Sequence, residues 1–206
     1  VDLAVANRPL GPGDRAPEFD LPAADGPGRV SLAEHLGRGP VLLVMLRGLY
    51  CPFCRRQISQ LRPACETLQT AGLPLLGLVI ASPERARQYF RRFPPCFPIA
   101  AAPDRAIHRA YGLPEVTRTP EFSAETQRRA AECLHELGLE APPGQATAVF
   151  MTAEGFHLTV EDEAEKERPL QSIAFFLIGR DQLIRWSLAD PRIVPLPPLE
   201  ELLARV

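Results

Sequence analysis

The chain is 206 residues long, 46% hydrophobic and 23% charged, with a net charge of −2 at pH 7. This is enough sequence for one domain with an insertion and a sizeable core, and the near-neutral charge argues against a nucleic-acid surface. No apolar run approaches the roughly 20 residues that span a bilayer, and five cysteines with one close pair do not make a secreted disulfide framework.

The start, Val1-Asp2-Leu3-Ala4, lacks the charged-then-apolar form of a signal peptide. A reducing cytoplasm is therefore the expected compartment. The first ten residues carry no pattern and read as a loose arm. Glu18-Phe19-Asp20-Leu21 alternates as an edge strand does, and Asp25-Gly26-Pro27-Gly28 is a turn cluster. Ser31 is placed to cap a short helix through Leu36 that stops at Gly37.

Pro40 opens the stretch on which the chemistry rests. Val41 to Leu46 is continuously apolar and rich in β-formers, which predicts a strand buried on both faces. Gly48 breaks the run. Pro52, with its fixed φ and missing N–H, suits the first position of a helix, so Cys51 falls at the N-cap and Cys54 on the first turn. Unpaired N–H groups and the positive end of the helix dipole stabilise a thiolate at Cys51. Thiols so placed have pKa values of about 3.5–7.5 instead of about 8.5. Cys51 is the expected nucleophile and Cys54 the resolving thiol. Arg47, Arg55 and Arg56 flank the turn and either add positive field or point into water.

Cys-x-x-Cys has two other readings, half of a zinc site or two buried small hydrophobes. A closed zinc site needs a second ligand pair. Cys65, Cys96 and Cys133 stand alone, and His35, His108, His135 and His157 form no pair, so no metal is expected. The strand-turn-helix context favours a redox pair.

Ile58, Leu61, Cys65 and Leu68 then recur at helical spacing, with Cys65 read as core, Pro63 as a kink and Gly72 as the stop. Leu75 to Ile80 is a second buried strand, and Ser82-Pro83-Glu84 starts a helix ending near Phe93. Two parallel strands joined in this way imply a right-handed crossover. Phe97 to Ala100 reads as a short third strand, with Cys96 a passive loop residue before it, and a helix follows from Pro103 to Tyr111, stopping at Gly112.

Residues 114–170 are the least legible part. Ser123 to Leu137 is a plausible helix carrying Cys133 and His135. Ala148 to Met151 and Phe156 to Val160 read as a hairpin around Glu154-Gly155, and the acidic run Glu161 to Arg168 as a solvated surface. Ser172 to Ile178 and Leu183 to Leu188 form an antiparallel hairpin. A Pro-rich lead over 191–198 ends in a last helix, Leu199 to Val206, burying Leu199, Leu202 and Leu203.

Four stretches resemble the AhpC/TSA group of thioredoxin-like proteins, in particular the peroxiredoxin-like branch with a Cys-Pro-aromatic-Cys motif. They are Gly13 to Phe19, the turn from Arg47 to Cys54, Asp104 to Leu113 and the hairpin from Phe176 to Arg185, within residues 11–113 and 170–189. The resemblance implies a thioredoxin-like α/β fold in one domain over residues 1–206, with a central mixed β-sheet flanked by helices. Residues 114–170 would be an insertion before the C-terminal hairpin. The implied activity is reduction of peroxides or disulfides. The family pattern carries a proline and a threonine where Val44 and Gly48 stand here, and an arginine near Ile173. Arg47 or Arg168 would have to substitute for it.

With Cys51 and Cys54 present and those peroxide-activating residues absent, the reading is a thiol-dependent antioxidant oxidoreductase working by thiol-disulfide exchange. A peroxiredoxin-like hydroperoxide reductase using the same pair is the alternative, and a non-catalytic redox sensor that oxidises once and stops is the reading from another class. Candidate site residues are Cys51, Cys54 and Arg47, with no cofactor. Expected partners are a peroxide or disulfide substrate and a thioredoxin-like or low-molecular-weight thiol reductant, with no nucleic acid and no membrane. A homodimer is left open.

Overall fold

The computed structural model describes residues 8–190 and 198–205. Most of the expected N-terminal arm and of the Pro-rich lead therefore lies outside the described residues. The last part of that arm is tied down. Arg8 pairs with Asp14 at 2.7 Å, and the Leu10 N–H donates to the Tyr111 carbonyl at 3.1 Å. The chain passes so close to Gly112 (φ +68°) that a Cβ there would lie 1.7 Å from the Arg8 carbonyl oxygen, which only glycine tolerates.

β1 (Asp20–Pro22) and β2 (Arg29–Ser31) form a separate antiparallel ribbon, not an edge of the main sheet. Ser31 caps α1 (Leu32–Leu36), its hydroxyl accepting from the Glu34 N–H at 3.4 Å. Next come β3 (Val41–Gly48), α2 (Pro52–Thr70), β4 (Leu75–Ile80), α3 (Pro83–Arg92), β5 (Ile99–Ala101) and α4 (Ala106–Ala110). The next segment holds β6 (Glu115–Val116), α5 (Pro120–Glu136), α6 (Ala146–Thr152), α7 (Val160–Glu167) and β7 (Leu170–Gln171). β8 (Ile173–Ile178), β9 (Ile184–Asp190) and α8 (Leu199–Leu203) close the order.

The central sheet is mixed, in the order β5-β4-β3-β8-β9, with β3, β4 and β5 parallel and β8 antiparallel to both β3 and β9. Alternation along β3 explains its continuous apolar run. Leu42, Val44 and Leu46 pack with Ile58, Leu61 and Leu68 of α2, whereas Val41, Leu43 and Met45 pack with Leu32, Leu36 and Ile107 from α1 and α4. β3 is thus the middle layer of the core, and its C-terminal end feeds the Cys51 turn. α2 runs through Pro63 to Thr70.

Three expectations need correction, two of them within residues 148–168. The hairpin expected over residues 148–160 is helical. Phe150 packs on Ala130 and Leu134 of α5, which rewards helical spacing over strand propensity. Thr159 and Asp162 then form a capping box that starts α7, the Asp162 N–H donating to the Thr159 hydroxyl at 3.3 Å and the Thr159 N–H to the Asp162 carboxylate at 2.9 Å. Nor is the acidic run simply solvated. Glu161 accepts from the N–H and hydroxyl of Ser82, both at 2.6 Å, Asp162 pairs with buried Arg85 at 2.8 Å, and Glu165 pairs with fully buried Arg105. These bonds hold α7 against the end of β4 and the start of α4.

Cys96 is not passive. It forms a disulfide with Cys65, Cα–Cα 6.3 Å, across 31 residues of sequence. The β4–β5 pairing brings the loop before β5 beside α2, a proximity that neither cysteine's local sequence announces.

Candidate active site

The site begins where β3 runs into α2. The pairing of β3 with β4 slips between Leu46 and Gly48, and such a bulge re-aims the intervening side chain. That side chain is Arg47. It is buried, donates from Nε to the Gln171 carbonyl at 2.7 Å, and sets Nη1 3.7 Å from the Cys51 sulfur. Cys51 is the N-cap of α2 and Pro52 is its first helical residue, as the sequence predicts. The Cys51 sulfur accepts from the Cys54 N–H at 3.4 Å. Both cysteines are free thiols and almost fully buried, at 3% and 1% exposure.

Burial pushes the Cys51 thiol up, but the hydrogen bond from the Cys54 thiol, the positive charge of Arg47 and the Cys54 N–H outweigh it and lower the pKa to about 6. Cys54 moves the other way. Burial, its bond to Cys51 and the negative charge developing there push it well above its ordinary value. The two thiols are therefore pushed apart in acidity, with Cys51 the one that gives up its proton first.

The segment that the sequence left unread covers this pair. Over Cys51 lies a cavity of about 370 Å³, with Arg47, Tyr50, Cys51, Pro52 and Phe53 on one side. The other walls are Arg118, Phe122, Thr126 and Arg129 from α5 and its approach, Thr147 and Met151 of α6, and Lys166 and Leu170. Arg55 fastens this roof. It donates to the carbonyls of Leu49 and Tyr50 just before Cys51 at 2.8 and 3.3 Å, to the Met151 carbonyl on the roof at 2.6 Å, and lies 3.7 Å over the Phe156 ring. Arg56 pairs with Glu136 of α5, and Phe53 meets Phe150 edge to face at 5.2 Å. Of the three arginines flanking the turn, Arg47 and, more weakly, Arg55 thus supply positive field at the sulfur, while Arg55 and Arg56 also tie the turn to residues of the 114–170 segment.

Cys133 is a free, half-buried thiol on α5, and it does not line this cavity. Among the described residues, no cluster of three or more His, Cys, Asp or Glu side chains could hold a metal ion. No described helix is long and apolar enough to cross a membrane.

A family model described as the AhpC/TSA family matches residues 12–131. The chain belongs to the AhpC/TSA family. Among curated relatives of this family it is 36% identical over 103 residues to a putative peroxiredoxin of Mycobacterium tuberculosis, a match covering 50% of this chain and 64% of that protein. It is 30% identical over 105 residues to peroxiredoxin Bcp of Escherichia coli, covering 51% and 66%. The chain thus spans slightly less than two thirds of the length of these relatives. Among solved structures it resembles peroxidoxin BcpB of Mycobacterium tuberculosis, with a TM-score of 0.58, 13% identity and coverage of 95% and 96%. Reduced 2-Cys peroxiredoxin of Plasmodium vivax gives a TM-score of 0.57 at 16% identity, covering 95% and 79%. At such identities these likenesses establish the thioredoxin-like fold and nothing finer. The AhpC/TSA match ends inside α5, so most of the helical roof lies beyond it.

Proposed function

We propose that this AhpC/TSA chain is a thiol-dependent antioxidant oxidoreductase in which Cys51 is the nucleophile, Arg47 its electrostatic partner and Cys54 the resolving thiol, with a small hydroperoxide as the oxidant. The observation that carries this reading is a Cys51 sulfur with pKa lowered to about 6, held 3.7 Å from Arg47 at the base of a cavity walled by α5 and α6. The Cys51 thiolate attacks the terminal oxygen of the hydroperoxide. An S–O bond forms, the O–O bond breaks, and the departing alkoxide or hydroxide takes a proton from solvent, leaving a sulfenic acid on Cys51. Cys54 then attacks that sulfur, so that an S–S bond forms and water leaves. Two equivalents of an external thiol restore the pair.

Access favours peroxide over protein disulfides. A cavity of about 370 Å³ with 3% of Cys51 exposed admits a small molecule, whereas a folded protein's disulfide would need α5 and α6 moved aside. The same roof favours a low-molecular-weight thiol over a thioredoxin-like protein as reductant. A second reading, exchange with small disulfides, is supported by the proton-bearing Cys54 beside Cys51 and by Val44 and Gly48 at the family's proline and threonine positions. For the compartment we keep the cytoplasm, where such thiols are abundant; the Cys65–Cys96 bond runs against that choice, because disulfides are rare in reducing compartments.

Steady-state reduction of hydrogen peroxide and of insulin disulfides tests the proposal, each with wild type, Cys51→Ser and Cys54→Ser. Peroxide turnover that disappears in Cys51→Ser and stalls after one turnover in Cys54→Ser is the expected result. Insulin reduction without peroxide reduction would overturn it in favour of disulfide exchange.

A further inference from the structure

Tyr50, immediately before Cys51, is buried at 4% exposure, and its hydroxyl oxygen is buried with no hydrogen-bond partner among the described residues. A hydroxyl in that state costs stability and calls for a reason. Tyr50 is among the residues that line the Cys51 cavity, and the charges of Arg47 and Arg118 both act on its hydroxyl. The end of β3 is shaped to seat it. A Cβ on Gly48 would stand 2.8 and 2.9 Å from the Cδ1 and Cε1 atoms of the Tyr50 ring, so a side chain at position 48 and this ring position exclude each other. Behind the same point, 3.3 Å away, lies Cγ of Glu165, itself fixed by Arg105.

We propose that the Tyr50 hydroxyl is a further catalytic group of this site, donating a hydrogen bond to the departing oxygen of the hydroperoxide as the O–O bond breaks. The inference rests on the peroxide reading above. Arg47 already bonds the Gln171 carbonyl and the Cys51 sulfur, so the hydroxyl is the donor on the Cys51 side of the cavity that substrate can complete. Burial, opposed by the charge of Arg47, holds the phenol above its ordinary pKa, so it keeps its proton wherever Cys51 is a thiolate. In the step, the Cys51 electron pair forms the S–O bond, the O–O pair leaves on the alkoxide or hydroxide, and solvent supplies the proton. Tyr50 lowers the barrier by bonding the charge as it appears.

Tyr50→Phe removes the hydroxyl and keeps the ring. The rate of Cys51 oxidation by hydrogen peroxide should fall on the order of 10²-fold. Alkylation of Cys51 by iodoacetamide, which develops no charge on oxygen, should keep its rate and pH midpoint. Equal slowing of both reactions would reduce Tyr50 to a support for Cys51 and overturn the inference, as would an unchanged peroxide rate. A Tyr50→Phe chain that fails to fold by circular dichroism would also overturn it, because the hydroxyl would then be structural. A wild-type chain inert to peroxide but normally alkylated would overturn the peroxide reading itself, and this inference with it.

Discussion

Arg47 and Cys51 are four residues apart, yet only the three-dimensional site shows that they act on each other. The Cys51 placement is legible because Pro52 marks the first helical position and fixes the N-cap before it. Arg47 is legible as a nearby cation but its direction is not, because that depends on where the β3–β4 register slips, between Leu46 and Gly48. The thiolate is the form that reacts with an alkylating agent. For a pKa lowered to about 6, the alkylation rate should therefore rise with pH through that value and level off above it. Arg47→Gln removes the positive charge 3.7 Å from the sulfur and should move the half-point upward by about 1 pH unit. Iodoacetamide kinetics between pH 4 and pH 10 on both chains measure this. An unmoved half-point would mean that the helix N-terminus, Cys54 and Arg55 set the thiolate without Arg47.

α5, α6 and α7 turn an N-cap cysteine of a common fold into a roofed site. Phe150 is 5% exposed and joins this roof to the core of α5 and to Phe53 on the first turn of α2. Phe150→Ala should cost about 3–5 kcal/mol in urea denaturation, and alkylation of Cys51 by a bulky maleimide should speed up as the roof loosens. Lost stability without faster maleimide labelling would show that access does not run past α6. The sequence signals here were mixed in a physically instructive way. Ala148-Val149-Phe150-Met151 has strand-forming residues, but Ala130, Leu134 and Phe150 need helical spacing to meet. The Thr159–Asp162 capping box is present in the sequence. The partners of the acidic residues, Ser82, Arg85 and Arg105, are not inferable locally, because they sit about 60 to 80 positions upstream. Likewise Thr119-Pro120 starts α5 three residues before the expected Ser123, the Thr119 hydroxyl accepting from the Phe122 N–H at 3.2 Å.

Across the whole molecule, the buried strands were readable from continuous apolar runs, since β3, β4 and β8 are covered on both faces, whereas the mixed sheet came from the family resemblance. The Cys65–Cys96 bond was not, because it depends on the loop before β5 arriving beside α2. It sits far along α2 from Cys51, roughly 20 Å at 1.5 Å per residue. The double variant Cys65→Ala/Cys96→Ala should lose about 3–4 kcal/mol through the freed unfolded chain, while Cys51 alkylation keeps its rate. A slower Cys51 would reveal coupling between the two ends of α2. The measurement that bears most directly on the central claim is a single exposure of the Cys54→Ser chain to one equivalent of hydrogen peroxide, followed by digestion and mass spectrometry. The account predicts one added oxygen on Cys51, trapped by a sulfenic-acid reagent, where wild type gives a Cys51–Cys54 disulfide. An unmodified Cys51, with the oxygen found on Cys133 or on the methionines, would contradict it.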